Sequence, residues 1–229
     1  NDLKFRLDLP ATKDRYRFVV AYRPDDEEET LADRTLPSSA ARPTDGDQSL
    51  FAGAVRTVKD EARHWEGRAQ LGIKARWPLD PFVRLNSRRE LRISDNWALN
   101  VRNGGAWYTS SGFRTEHSLA FDRILTPAVL FRTTTSAQWR EEDDTLEFAQ
   151  VFDLFHSIDQ RRLLDYQIGV LGNSWSHSRV NTYYASVIYR QDLYRQWLYL
   201  NLVPQVPFPR EENFDDIMPF TDGIEIFLN

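Results

Sequence analysis

The feature that most constrains the fold is a series of segments in which apolar and polar side chains alternate. In residues 67–77 one set of positions carries Leu71 and Ile73, and the intervening set carries Arg68 and Lys74. Successive side chains of a β-strand point to opposite faces, so a period of two predicts strands with one apolar and one polar face. The same alternation recurs in residues 3–9, 15–24, 162–172, 181–190, 196–206 and 217–228.

Turn-forming residues interrupt this alternation at a second, longer interval. Residues 94–96, 126–127, 159–160 and 192–195 lie about 32 residues apart. Half of that interval leaves strands of roughly 10 to 14 residues, which is long for a soluble sheet and enough to cross a bilayer when tilted. The chain is therefore predicted to be all-β, an antiparallel up-and-down barrel of about twelve strands. The predicted strands are residues 3–9, 15–24, 65–77, 81–93, 96–108, 112–125, 128–140, 145–157, 162–172, 181–190, 196–206 and 217–228.

Residues 25–64 depart from the pattern. Residues 24–48 are acidic and then rich in Pro, Ser and Ala, which predicts a loop. Leu50, Phe51, Ala54, Val55, Val58 and Ala62 follow at helical spacing and predict one short amphipathic helix, with a strand at 50–58 as the alternative. Such an insertion either plugs the barrel or lies beside it. It is too small to be a second domain, so residues 1–229 are predicted to form a single β-barrel domain.

The residue types exclude several kinds of chemistry. With no cysteine among 229 residues, the chain has no disulfide, no thiolate metal site and no thiol nucleophile. Its four histidines are scattered without the spacing of a zinc site, and it has no glycine-rich phosphate loop. The sequence therefore predicts no metal, no cofactor and no catalytic residue, and a channel is favoured over an enzyme.

Aromatic residues at the strand ends favour a membrane barrel over a soluble one. Trp77 and Phe82 flank one turn, Trp97 follows another, and Trp107 and Phe113 flank a third. Membrane barrels carry aromatic girdles at both interfaces, and a closed barrel is the one β architecture that pairs all of its backbone groups in lipid. A soluble barrel or sandwich, whose apolar faces point inward, is the alternative.

The alternating strands, the turn spacing and the apolar-aromatic final segment, residues 222–229, resemble the bacterial outer-membrane β-barrel class. The resemblance covers nearly the whole chain and points to no specific family. It implies a transmembrane barrel in the bacterial cell outer membrane, in contact with the lipid bilayer and lipopolysaccharide.

The net charge of −5 conceals a separation of charges. Acidic residues concentrate in the predicted turns and basic residues on the polar strand faces, where fixed charge in a narrow channel concentrates the opposite ion. The sequence thus predicts a narrow diffusion channel with a basic lumen that favours small anionic solutes. Small outer-membrane channels for acidic oligosaccharides have arginine-lined twelve-strand barrels, and this chain is similar to them at that general level. The candidate solute-binding residues are Arg68, Lys74, Arg76, Arg84, Arg88, Arg92, Arg114 and Arg132.

Two other functions remain open. Arg-Glu ladders that fill the lumen predict a non-conducting barrel that scaffolds a partner protein or a surface assembly. A hydroxyl-rich segment around His177 suggests a lipid hydrolase at the rim, although neighbours in a strand point to opposite faces and an exposed polar turn explains the segment more simply. Acidic loops argue against a nucleic-acid partner.

Overall fold

The computed structural model describes residues 4–8, 16–24, 30–37, 48–75, 77–174, 179–194 and 198–210. These residues form one antiparallel sheet and one short helix, α1 (Leu31–Thr35). The strands are β1 (Lys4–Asp8), β2 (Tyr16–Pro24), β3 (Gln48–Asp60), β4 (Trp65–Lys74), β5 (Asp80–Ser94), β6 (Trp97–Tyr108), β7 (Gly112–Thr126), β8 (Val129–Arg140), β9 (Thr145–Ser157), β10 (Arg162–Asn173), β11 (Arg179–Tyr194), β12 (Leu198–Leu202) and β13 (Gln205–Pro209).

Each strand from β2 to β12 pairs antiparallel with the strand before it in the chain. β12 and β13 both pair with β11, β12 beside its second half and β13 beside Thr182–Ser186, so together they act as one strand interrupted at Val203 and Pro204. The predicted antiparallel up-and-down sheet is confirmed. The predicted strand 217–228 lies outside the described residues, and closure of the barrel stays a prediction.

The helix predicted between residues 50 and 62 is wrong. These residues belong to β3, which pairs with β2 on one side and β4 on the other, as the alternative strand at 50–58 requires. Phe51, Ala54, Val55 and Val58 fit a helical period, whereas in the strand Phe51 and Val55 lie on one face and Ala54 and Val58 on the other. The hydrogen bonds to two neighbouring strands decide between helix and strand. The helix of this insertion is α1, which lies inside the predicted loop.

The two faces of the sheet carry opposite kinds of side chain. Leu71, Leu85 and Ile168 are each 58% exposed on the outer face. On the inner face Arg114, Gln138 and other polar side chains are buried. A soluble sandwich has the reverse arrangement, because its apolar faces form the core. The large apolar side chains therefore lie on the outer face and polar side chains on the inner face, which is the arrangement predicted for a transmembrane barrel. Among the residues described, no helix is long and apolar enough to cross a membrane.

Aromatic side chains mark both ends of the outer face. At one end the rings of Trp97 and Phe121 are 4.7 Å apart, and the Arg123 guanidinium lies 4.8 Å from the Trp97 ring. At the other end Trp107 and Phe113 are cross-strand partners and are both exposed. The ten residue-to-residue steps from Trp97 to Trp107 span about 34 Å of strand, or about 26 Å of height at a tilt of about 40°, which matches the ~25 Å apolar band of membrane barrels.

The turn between β9 and β10 allows a test of local electrostatics outside the sheet. Asp159 accepts hydrogen bonds from the Arg162 side chain and from the backbone N–H groups of Arg161 and Arg162. The Arg162 side-chain hydrogen bond is the main reason why the pKa of Asp159 is lowered. A lowered carboxyl pKa stabilises the folded turn above the ordinary pKa of about 3.9, and the stabilisation is lost as the pH falls through the lowered value.

We expect Arg162→Gln to return the Asp159 pKa towards its ordinary value, because it removes the charged donor. An NMR titration of the Asp159 carboxyl carbon in detergent micelles measures both midpoints. Arg161→Gln is the matched control, since only the backbone N–H of Arg161 bonds to Asp159. Equal midpoints in the wild type and in Arg162→Gln would contradict the assigned cause.

Candidate lumen site

The inner faces of β4 to β10, together with α1, surround a cavity of about 720 Å³. Its wall is polar because the alternation of each strand turns the charged positions to this side. The charged side chains that line it are Arg34, Glu66, Arg68, Arg88, Arg102, Glu116, Arg132, Asp153 and Asp165. The wall of this cavity, which we call the lumen, therefore carries charges of both signs.

The basic part of the wall centres on Arg88 and Arg102. They are direct cross-strand partners on β5 and β6, and both are exposed to the cavity. Like charges directly opposite each other in a sheet repel. Within the described part of the chain neither forms an ion pair, although Glu66 is the cross-strand partner of Arg88 on the other side.

Elsewhere on the wall, polar side chains of neighbouring strands bind one another. The Arg132 guanidinium donates from Nε and Nη2 to the two carboxylate oxygens of Asp122, at 2.6 and 2.8 Å. The Gln167 amide donates to Asp153 Oδ1 at 2.7 Å. A two-point contact of this kind fixes the guanidinium plane and uses its donors. The Arg132 guanidinium is therefore engaged with Asp122 of the wall, which leaves it fewer donors for a solute.

α1 lies against the inner face of the sheet. Of the two predicted placements of the insertion, α1 therefore takes the one inside the lumen. The backbone N–H of Leu31 donates to Glu147 Oε2 at 2.6 Å, and Arg34 Nη1 donates to Glu116 Oε2 at 2.7 Å. The Leu31 side chain is buried against Ala149, Leu171 and Tyr184. α1 therefore narrows the lumen beside β7 and β9.

A smaller pocket of about 240 Å³ adjoins the cavity between α1 and strands β5, β6 and β7. Arg84 Nη2 donates to the Tyr108 hydroxyl, and Arg114 donates from Nη2 to Gln138 Oε1 at 3.0 Å. Arg114 also forms an ion pair with Glu116 at 3.1 Å. These arginines brace the wall around Glu116, the residue that holds Arg34.

The structure spreads the eight candidate solute-binding residues over several environments. Arg68, Arg88 and Arg132 line the main cavity, and Arg84 and Arg114 line the smaller pocket. Lys74 is buried, with its ammonium 4.6 Å from the centre of the Tyr108 ring. Arg92 is exposed and does not line either cavity, and Arg76 lies outside the described residues.

Two cavity arginines were not among those candidates. Arg102 shares the alternating inner positions of its strand, so the period of two places it there. Arg34 lies in a segment without strand periodicity, and its place in the lumen depends on contacts with distant strands. His177, the centre of the suggested rim hydrolase, lies outside the described residues. In the part of the chain that the structure covers, no three His, Asp or Glu side chains are grouped to hold a metal ion.

No protein-family model and no curated protein matches the sequence. Two solved structures are similar to it at low identity. The KdgM porin in complex with disordered oligogalacturonate shares 6% identity with a TM-score of 0.42, and a second structure of the KdgM porin shares 5% identity with a TM-score of 0.40. Each likeness covers 69% of this chain and 84% of the other.

Proposed function

We propose that the protein is a narrow diffusion channel of the bacterial outer membrane that favours small anionic solutes. The observation that carries this proposal is the Arg88 and Arg102 pair, which is exposed in a polar cavity on the inner face of the sheet. Fixed positive charge in a narrow space with low-dielectric walls raises the local concentration of anions. Guanidinium groups also match the geometry of carboxylate and phosphate groups.

The size of the cavity supports a small solute. α1 occupies part of the cross-section, and Arg34 is held against the wall by Glu116. A compact anion with a few polar groups suits this space better than a bulky one.

The test of the proposed function is ion selectivity in planar bilayers. The wild type is expected to conduct with a preference for chloride over potassium, and the double variant Arg88→Gln with Arg102→Gln is expected to lose most of that preference, because it removes both positive charges. Arg123→Gln is the matched control, since Arg123 lies on the outer face against Trp97. Reversal potentials in a salt gradient report the permeability ratio.

Two outcomes would reject the anion channel. One is the absence of conductance in folded wild-type protein. The other is a permeability ratio that the Arg88 and Arg102 substitutions leave unchanged.

The proposed location has its own test. In the native bacterium we expect the chain to fractionate with the outer membrane and to contact bilayer lipid and lipopolysaccharide. Detergent-extracted protein should migrate differently on gels with and without heating, as folded membrane barrels do. Recovery in the soluble fraction would contradict the location whatever the conductance, and two independently unfolding parts would contradict the proposal of one domain over residues 1–229.

A second candidate function is a non-conducting barrel that scaffolds a partner protein. The observation that favours it is the filling of the lumen by α1 and by ion pairs such as Arg114 with Glu116 and Arg140 with Glu147. A closed lumen, together with a protein that co-purifies in stoichiometric amount, is the result expected of this function.

A further inference from the structure

Polar side chains occupy part of the outer face that the proposed membrane placement turns to lipid. His117 Nδ1 and Asn103 Oδ1 are 2.9 Å apart, and both side chains are exposed on β6 and β7. Ser87 of β5 is the cross-strand partner of Asn103. On the next two strands, Gln150 donates to Thr133 at 2.7 Å and accepts from Thr135 at 2.6 Å. We call Ser87, Asn103, His117, Thr133, Thr135 and Gln150 the polar patch.

The polar patch lies at the height of the hydrocarbon. Asn103 is six residues from Trp97 and four from Trp107, the two aromatic residues that mark the ends of the outer face of β6. A hydrocarbon chain cannot hydrogen-bond, and amide or hydroxyl groups that face it without further partners cost free energy. Arg89 is exposed on the same face, where lipid is an even less suitable neighbour. The polar patch and Arg89 are therefore better suited to contact with a polar partner than with lipid.

The outer face of β10 and β11 shows what a lipid-facing surface of this chain looks like. Between its ends it carries Tyr166, Ile168, Val170, Ala185 and Val187, which are aliphatic or aromatic. The contrast with the polar patch is one of side-chain type, since the depth in the membrane is similar. The outer face of β10 and β11 is thus suited to contact with lipid, and the polar patch is suited to contact with a polar partner.

A groove of about 570 Å³ adjoins the polar patch. The small residues Ala69 and Gly105 line it together with the larger Trp65 and Leu85. A methyl group added at Gly105 would meet no atom within 4 Å, so the groove is open there. Trp107 and Phe113 form a ridge on the same face. Small residues on an outer face allow close approach of another membrane protein.

We propose that β5 to β9 are covered in the membrane by a second copy of this chain, related by a twofold axis. This rests on the proposed membrane channel and goes beyond it. Each side chain of the polar patch carries both a donor and an acceptor, so a twofold-related copy offers every group a reciprocal partner. The ridge of one copy can insert into the groove of the other copy. The aromatic rings of the ridge can then stack against Arg89 of the other copy.

The area is sufficient for a specific contact. Five strands are about 24 Å wide, and the apolar band is about 25 Å high. Each copy can therefore bury at most about 600 Å², or about 1,200 Å² in total, which is at the lower limit of specific protein interfaces.

The test uses single-cysteine variants, since the chain has no cysteine of its own. Ser87→Cys, Gly105→Cys and Thr135→Cys sample the covered face, and Ile168→Cys on β10 is the control. After oxidation in native outer membranes, at least one of the first three is expected to form a covalent dimer, and the control is expected to remain monomeric. Native mass spectrometry of the detergent-extracted wild type should show a dimer.

Two further variants test the contacts. Asn103→Leu with His117→Leu, and separately Gly105→Trp, are expected to raise the dimer dissociation constant at least tenfold, with Ala185→Trp on β11 as the control. Heat-modifiable migration verifies that each variant is folded.

The proposed dimer is contradicted if the wild type is monomeric and none of the three cysteine variants on β5 to β9 cross-links. It is also contradicted if a variant cross-links to a different protein. A lipid-facing patch predicts instead that Asn103→Leu with His117→Leu leaves a monomer and stabilises it. Failure of the membrane placement itself is distinguishable, because the chain would then be absent from the membrane fraction.

Discussion

Removal of α1 from the lumen is expected to raise the single-channel conductance several-fold. α1 is held by the Leu31 backbone hydrogen bond to Glu147, by the ion pair of Arg34 with Glu116, and by the burial of Leu31. Replacement of residues 31–35 by a Gly-Ser segment of equal length removes the leucine and the arginine while it keeps the chain length. Burial of a leucine side chain is worth about 2 to 3 kcal/mol, so its loss should release the segment from the wall.

The measurement is single-channel recording in planar bilayers at one salt concentration. The matched control is the same Gly-Ser replacement at residues 41–45, which leaves α1 and both of its carboxylate partners intact. A second variant, Leu31→Asp, should also open the lumen, because a carboxylate is costly in the apolar cluster with Ala149, Leu171 and Tyr184. Equal conductance in all variants would show that α1 does not limit the flow, and zero conductance in all of them favours the scaffold.

The sequence predicts the sheet well because the information is local. A period of two assigns Leu71 and Ile73 to one face and Arg68 to the other without reference to the rest of the chain, and turn spacing supplies the hairpins. β3 shows where this information ends. Its apolar residues Phe51, Val55 and Val58 fit a helical period and do not alternate, since Val58 lies on the opposite face of the strand from the other two. The pairing with β2 and β4, which no local pattern contains, makes this segment a strand.

The features that shape the lumen depend on contacts between distant residues. Leu31 bonds to Glu147, 116 positions away, and Arg34 bonds to Glu116, 82 positions away. No local pattern contains either contact. For the same reason, the period of two can place Asn103 and His117 on the outer face, but only the register of β6 with β7 brings them together.

The substitution Ile168→Arg is expected to cost about 2 to 4 kcal/mol of stability in a bilayer, because Ile168 lies on the outer face near the middle of β10. The same change would cost almost nothing in a soluble sheet. There Ile168, which is 58% exposed, would already face water, and arginine would be the more favourable residue. The change in the free energy of unfolding caused by Ile168→Arg therefore distinguishes a membrane-embedded sheet from a soluble one.

Urea titration of folding into phospholipid vesicles measures the free energy of unfolding of each variant. Thr134→Arg is the control, since Thr134 lines the cavity on β8 and its cross-strand partners, Ala120 and Val151, are uncharged, so that an arginine there should cost less than about 1 kcal/mol. If Ile168→Arg costs no more than this control, the apolar face does not contact hydrocarbon. The anion channel and the covered face of β5 to β9 then fail together, because both require the arginine-bearing face to enclose water and the leucine-bearing face to meet lipid.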